Sequence, residues 1–447
     1  MTEHLDQTDL ADRASRLVEA ARRAGADAAD TVCVRGISLS VEVRLGKVEE
    51  TRRAEGDDFT LRAFVGKRSA AVSANVLADP AVLAERVVAM ARVAPEDPFN
   101  GLADSGRLAR IFPDLDLLDS TIPSADELTE TALAAEDAAR AVDGITNSGG
   151  ASASWRLAGI VLATSHGFTG AYSSSRFAIS ASAIAGTGTG MERDYESEVR
   201  IHRADLPAPA EIGRKAGDRT VRRLAPRRIA TGKGIVIYDP RVSAGLIGHL
   251  AGAANGAAIA RKTSFLRDML GSPVFSPEIR IDDDPLRIRG LGSRPFDGEG
   301  VSADPLDLVK DGVLTTWLLD STSARELGLS TNGRASRGGG NTSPGITNLT
   351  LAAGAISPEE LLASAGSGIY VTELIGHGAN LMTGDYSRGA AGFAIENGVL
   401  THPVSEITIA GNLKDIFRTM RPANDLVYRF AVNAPTVAVE GLTIAGR

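Results

Sequence analysis

The sequence predicts an α+β fold: an N-terminal α/β domain with an antiparallel sheet and flanking helices, then a β-rich C-terminal domain with a small-residue helix. Three observations predict it. Apolar spacing changes from helical to period two within the first 45 residues. Two glycine turns, Gly46-Lys47 and Gly66-Lys67, join alternating runs as hairpins. Helices frame these hairpins instead of separating single strands, as a parallel sheet would require.

Taken in order, Leu10, Ala14, Leu17, Val18 and Ala21 recur at helical spacing over residues 8–24, and Gly25 stops the run. Ile37, Leu39, Val41, Val43 and Leu45 then alternate with polar residues as a half-buried strand. Phe59, Leu61, Ala63 and Val65 share one face of the next hairpin, and Ala70 and Val72 return. Residues 80–94 read as a helix opened by Pro80. Ser124 and Glu127 have capping-box spacing before an alanine-rich helix that runs to Val142. Residues 150–186 alternate as further strands, interrupted by Gly186–Gly190. A basic helix follows, with Arg214, Lys215, Arg219, Arg222, Arg223, Arg227 and Arg228, and Pro226 ends it. A solvated face is its expected role, because no aromatics interleave with the charges as base stacking would require.

The boundary is placed there, giving domains 1–225 and 226–447. The second domain opens with the short strand Ile235-Val236-Ile237-Tyr238. A small-residue helix runs from about Ser243 to Ala260, and short strands separated by Gly, Pro and Asp turns come after it. Glycine-rich loops stand at 333–345 and 377–392.

Composition narrows the function classes. Charged residues make up 23% and apolar residues 43%, ordinary for a soluble globular chain of 447 residues. No run approaches the ~18 apolar residues of a membrane span. No basic-then-apolar leader begins the sequence, so the cytoplasm is the expected location and no membrane partner is expected. Net charge is −8, which opposes a phosphate-binding surface, so direct nucleic-acid contact is not expected. Cys33 is the single cysteine, so no intrachain disulfide forms.

No chemical constellation stands out. The six histidines His4, His166, His202, His249, His377 and His402 include no pair three or four apart, so no helix offers paired zinc ligands. Thr231-Gly232-Lys233-Gly234 is not a P-loop, and no nucleophile elbow appears. Two acidic turns, Asp282-Asp283-Asp284-Pro285 and Asp297-Gly298-Glu299-Gly300, are conceivable acid/base groups, with turn chemistry as the simpler reading. The glycine-rich loops expose backbone that can pair with an extended peptide.

Seven segments together carry a resemblance: Ala94-Pro95-Glu96-Asp97-Pro98-Phe99, Met191-Glu192-Arg193-Asp194-Tyr195, Arg261-Lys262-Thr263-Ser264-Phe265-Leu266, Asp283-Asp284-Pro285, Phe296-Asp297-Gly298-Glu299-Gly300, Thr383-Gly384-Asp385-Tyr386-Ser387-Arg388-Gly389-Ala390 and Ile409-Ala410-Gly411-Asn412. In order and spacing the chain resembles the PmbA (TldE) branch of the TldD/PmbA family, once described as modulators of DNA gyrase. The resemblance implies an α+β fold and a cytoplasmic zinc peptidase of two subunits, TldD with TldE, that cleaves unfolded or extended peptides. In TldD a helix carries the HExxxH zinc motif and a late cysteine completes the site. Counting back from Arg261-Lys262, those motif positions fall on Gly248, His249 and Ala253, and no late cysteine exists. The resemblance therefore implies a metal-free, non-catalytic subunit, with zinc in a TldD-like partner. It leaves a homodimer in isolation open. Helix packing is the expected reason for Gly248, Gly252 and Ala253. Arg337, Asn341, His377, Asp385, Ser387 and Arg388 are the candidate substrate-binding residues on the two loops. Two alternatives stand beside this reading: a self-sufficient hydrolase using Asp283, Asp284, Asp297 or Glu299, and a regulatory protein acting on gyrase or a toxin–antitoxin system.

Overall fold

The computed structural model describes residues 7–75, 78–338 and 340–446; the N-terminal Met1–Asp6 and Gly339 of the glycine-rich 333–345 segment lie outside the described residues. The first half builds one sheet. Helix α1 (Thr8–Arg23) buries the predicted stripe Leu10, Ala14, Leu17, Val18 and Ala21. Strands β1 (Ala28–Arg44), β2 (Lys47–Val65) and β3 (Arg68–Asn75) follow as consecutive hairpins. The first turn is Leu45-Gly46, one residue earlier than the alternation suggests. Both residues have positive φ, as a twist-matched two-residue hairpin turn requires.

Helices α2 (Pro80–Val93) and α3 (Ala125–Arg140) come next, the latter opened by the Ser124/Glu127 capping box. Strands β4 (Ile145–Thr164), β5 (Thr169–Ala185) and β6 (Glu192–Arg200) complete an antiparallel sheet in the order β3-β2-β1-β4-β5-β6. Alternation along β1 divides its side chains between the two faces. Ala29 and Cys33 lie under α1 and α2. Ile37, Leu39, Val41 and Val43 lie on the same face under α3 and α4 (Pro209–Arg222). Burial pushes the Cys33 thiol up to about 11, so it is an inert core group. Asp30 and Val32 point the other way, toward the second half of the chain.

Gly213 lets α4 approach α3. A Cβ there would stand 1.9 Å from the carbonyl oxygen of Ala135, which is backbone and cannot swing aside. Gly213→Ala should therefore lose about 1–3 kcal/mol despite alanine's higher helix propensity, read as a lower urea midpoint. A midpoint at or above the parent's would overturn this.

The basic helix ends at Arg222, earlier than Pro226 suggests, because Ala225 takes a positive φ that no helix tolerates. Arg214, Lys215, Arg222, Arg227 and Arg228 are exposed, as a solvated face requires, while Arg219 and Arg223 are half-buried. Arg219 pairs with Glu196 and Arg223 with Glu373, while Arg222 lies over the Phe393 ring.

The second half contains β7 (Gly232–Tyr238), α5 (Pro240–Ala253), α6 (Gly256–Ala260), β8 (Ile281–Asp283), β9 (Leu306–Lys310), β10 (Val313–Leu314) and α7 (Ser321–Glu326). After them come β11 (Ala335–Gly338), β12 (Asn341–Pro344), β13 (Leu349–Leu351), α8 (Pro358–Ala365), β14 (Gly368–Ile375), β15 (Asp385–Glu396) and β16 (Val399–Asn412). The chain ends with α9 (Leu413–Thr419), β17 (Arg421–Pro422), β18 (Val432–Asn433) and β19 (Val437–Ala445).

Strands β7, β14, β15, β16 and β19 close on themselves, since β19 pairs with both β7 and β16. Only the β7–β14 pair in this ring is parallel. A second sheet, β10-β9-β8-β13-β18, shares one apolar core with the ring. The small-residue helix is two helices, because the Asn255 side chain accepts from Ala257 and Ala258 N–H and starts α6 afresh. The glycine-rich stretches also carry regular structure: Ala335–Gly338 and Asn341–Pro344 pair as β11 and β12, and half of 377–392 is β15.

Arginines of the second half bind the halves together. Arg241 reaches Asp194 at 2.8 Å, Arg429 reaches Glu196 at 2.5 Å and Glu198 at 2.7 Å, and Arg337 reaches Asp30. No helix among the described residues is long and apolar enough to cross a membrane.

Candidate functional site

Helix α5 positions the site. Asp239 caps it, Pro240 starts it, and Leu246, Ile247, Leu250 and Ala253 fix it on the core. The opposite face is bare. Gly245 and Gly248 are exposed, and a Cβ at either would meet nothing within 4 Å. Only Gly252 is approached, by the Leu381 side chain at 2.9 Å from such a Cβ. Close helix packing accounts for Ala253 and not for Gly248, which corrects the expectation. The result is a strip of exposed helix backbone, the floor of a candidate channel.

One wall comes from β15 and the turn before it. Tyr386 is 2% exposed and meets the His249 ring edge-on, with centroids 6.0 Å apart. Burial, and then the nearby charge of Arg388, hold the His249 imidazole below its usual pKa, which favours the neutral ring. At the Gly245 end the channel opens into a cavity of about 300 Å³ that Arg388, Leu374 and Val242 line. At the Gly252 end it meets a cleft of about 770 Å³ between the two halves. Asn255 and Arg261 line that cleft from the α5–α6 corner, Asn341–Pro344 from β12, and Arg62 from β2. From Gly245 to Gly252 the helix rises roughly 10 Å, the length of about three residues of extended chain.

Strand β12 pairs with β11 alone among the described residues, so its other edge faces the cleft. Asn255 donates to the Pro344 carbonyl at 2.7 Å and holds that edge against the helix corner.

The sequence-derived candidates separate on this geometry. Asn341 is exposed in the cleft, and Arg388 lines the smaller cavity. His377 and Ser387 are exposed at the barrel mouth. Asp385 is held by the Thr383 hydroxyl at 2.6 Å and by Asn412. Arg337 does not belong with them. It is nearly buried and clamps Asp30, which Arg62 also holds at 2.5 Å.

The acidic turns are equally internal. Asp283 is fully buried against Arg334, Asp297 accepts three backbone N–H groups, and Glu299 is 3% exposed. Asp284 accepts from Leu286 N–H in its own turn. None of the three buried carboxylates lines the interdomain cleft or the smaller cavity, and only Asp284 of the four is half-exposed. The sequence reading missed Gly245, Leu381 and Arg62 as lining groups. The period of β15, which puts Tyr386, Arg388 and Ala390 on one side, was the available signal for that wall.

A zinc ion does not fit this donor set. His249 is the one candidate ligand on α5, and among the described residues no group of three or more His, Cys, Asp or Glu is arranged to hold a metal. Zinc requires three or four converging N, O or S donors.

Three family models cover most of the chain: the PmbA/TldA metallopeptidase domain 1 at residues 29–91, the central domain at 119–224 and the C-terminal domain at 231–446. The six-stranded sheet spans the first two. The chain is 39% identical over 426 residues to Metalloprotease PmbA of Escherichia coli O157:H7, covering 94% of this chain and 93% of that one. A Bacteroides thetaiotaomicron structure described as a candidate modulator of DNA gyrase matches with a TM-score of 0.91 at 28% identity, over 99% of this chain and 100% of that one. TldE from Thermococcus kodakarensis shares the fold, with a TM-score of 0.84 at 20% identity over 97% and 99%.

Proposed function

This chain belongs to the TldD/PmbA metallopeptidase family, on its PmbA branch, and from that membership we propose that it is the non-catalytic subunit of a cytoplasmic two-subunit zinc peptidase. Zinc and the general base reside in a TldD-like partner. This chain supplies a surface that holds an unfolded or extended peptide. The carrying observation is the bare face of α5: where the partner's motif has two histidines and a glutamate, this chain has Gly248, Ala253 and a single imidazole. No water-activating metal centre can form from that set.

An extended peptide fits what is present. The channel floor has no side chains to select sequence, and the cleft-facing edge of β12 beyond the Pro344 carbonyl that Asn255 holds offers main-chain hydrogen bonds. Such recognition reads backbone and tolerates many side chains.

Co-expression with a TldD-like chain should yield a stable complex in which zinc follows the partner. Gly248→Phe tests the channel. The new ring projects into open space, so the thermal midpoint should move by less than about 2 °C, as for a surface change. Peptide capture by the complex should fall at least about tenfold, the loss of a few backbone hydrogen bonds. Stoichiometric zinc together with peptide hydrolysis in the isolated chain would overturn the proposal.

A further inference from the structure

The cavity at the Gly245 end of the channel carries an unbalanced charge. Four guanidiniums line it, from Arg193, Arg223, Arg241 and Arg388, against two carboxylates, from Asp194 and Glu373, which leaves two positive charges. Both carboxylates are already taken. Arg241 holds Asp194 at 2.8 Å, and Arg223 holds Glu373 at 2.6 Å. Arg193 is exposed, and Arg388 donates from Nε to the Ile375 carbonyl at 3.3 Å; neither has an ion pair among the described residues.

Arg388 owes its position to the strand period. It lies between Tyr386 and Ala390, both buried in the barrel core, so it points to the inner side of β15 at the mouth. Arg388 is half-buried there, so its guanidinium is held at the cavity without a counter-ion among the described residues and stays open to an anion from solvent. A second observation concerns neutral donors. Thr372, 9% exposed, lines the same cavity, and its buried hydroxyl has no partner. Deeper in the barrel, the buried hydroxyls of Tyr386 and Tyr238 face each other and leave the Thr372 hydroxyl as the open donor of the cavity. Buried donors are normally satisfied, and groups left open beside an unpaired cation mark a place for an acceptor.

We infer that Arg388 and Thr372 form a pocket for the terminal carboxylate of a peptide lying along α5. The guanidinium fork matches a carboxylate in two parallel hydrogen bonds, and a threonine hydroxyl adds a third. The bare floor from Gly245 to Gly252 then accommodates the last residues, with the chain running toward the interdomain cleft. This assigns the bound peptide a direction. It rests on the peptide-holding reading above.

The test is a set of anisotropy titrations of full-length protein against an N-terminally labelled Ala/Ser/Gly peptide. One form ends in a free carboxylate, one in a carboxamide, and one in glutamate carboxamide. The free acid should bind about 10- to 100-fold more tightly than the amide, as for a charge-assisted pair. The glutamate amide should behave like the amide, and excess inorganic phosphate should displace the free acid alone. Arg388→Gln should erase the difference, and Thr372→Val should narrow it. Equal binding of acid and amide overturns the pocket, as does a glutamate amide that binds like the free acid. A difference that survives Arg388→Gln also overturns it. Binding of all three forms alike would count against this pocket alone, whereas binding of none would count against the peptide-holding reading as well. The peptide comparison uses the parent protein, so it stands even where a variant folds poorly.

Discussion

Arg334→Ala should cost about 3–5 kcal/mol, the largest loss expected from a single side chain here. Arg334 and Asp283 are both fully buried, with Nε and Oδ2 at 2.5 Å. The rest of the fork is committed to carbonyls: Nη2 to Asp283 O at 2.9 Å and Asp304 O at 2.8 Å, and Nη1 to Asn332 O at 2.8 Å. Truncation leaves a buried carboxylate held only by Thr347, through its N–H at 2.7 Å and hydroxyl at 2.8 Å, and strips three carbonyls of their donor. Lysine would not substitute, because a single ammonium cannot serve four acceptors spread around a planar fork. Arg334 lies immediately before β11 and ties the β11–β12 hairpin to β8. Losing it should therefore loosen the cleft edge at Asn341–Pro344 as well as lower the urea midpoint. An Arg334→Ala protein with the parent's midpoint would show that the pair contributes nothing to holding the hairpin.

That pair also marks where sequence reading stops. Local signals were legible because their physics is local. The hairpins at Gly46 and Gly66 follow from period-two alternation and a positive-φ turn, and the helix at Ala125–Arg140 follows from Ser124 and Glu127 three residues apart. The β11–β12 hairpin was not legible. Its residues, Ala-Ser-Arg-Gly and Asn-Thr-Ser-Pro, have turn composition, and pairing is imposed by the buried Arg334 and by Asn255 across the cleft. The restart at Asn255 had a signal, an N-cap residue inside a run of alanines and glycines, but small residues on both sides hid the break.

For the site, sequence could say that the zinc-motif positions hold Gly248, His249 and Ala253. It could not say whether those small residues were covered or open, since close packing and an empty channel favour the same composition. Nor could it pair Arg337 with Asp30 across 307 positions, and so it offered an interior clamp as a substrate ligand. The same limit applied to the acidic turns. Asp297 does cap its own turn, as its neighbours suggest, but the burial of Glu299 comes from α7 and β12, which arrive from elsewhere in the chain.

Glu299→Gln should stabilise the protein at alkaline pH by up to about 3 kcal/mol and leave it nearly unchanged near pH 4.5. The Glu299 carboxyl accepts from Ser321 N–H at 2.9 Å and from the Thr342 hydroxyl at 3.2 Å, and no cation among the described residues pairs with it. Burial first, then the charges of Asp297 and Asp320, push it up to about 7 from an ordinary 4.5, while Ser321 and Arg62 pull it partly back. Arg62 contributes little neutralisation because its guanidinium is turned to Asp30. The sign follows from proton binding. Between about pH 4.5 and 7 the folded chain keeps a proton that the unfolded chain has released, so each step up in pH through that window removes stability. Below the window both states are protonated and nothing is lost; above it the full penalty is present. Glutamine keeps an acceptor for Ser321 N–H and never ionises. The stability difference between variant and parent should therefore open through the window and level off above pH 7, traced by urea midpoints from pH 4.5 to 8.5. A difference that stays flat across that range would mean that Glu299 titrates as an ordinary solvated carboxyl. The Asp297 charge is part of what raises Glu299, so removing the Asp297 carboxyl should shift Glu299 downward. Thr342 lines the interdomain cleft, and Glu299 stands directly behind it. The same titration should therefore reach the peptide: ionisation places an unpaired charge behind the β12 edge, and capture should weaken in the parent above pH 7 while the Glu299→Gln protein holds its affinity.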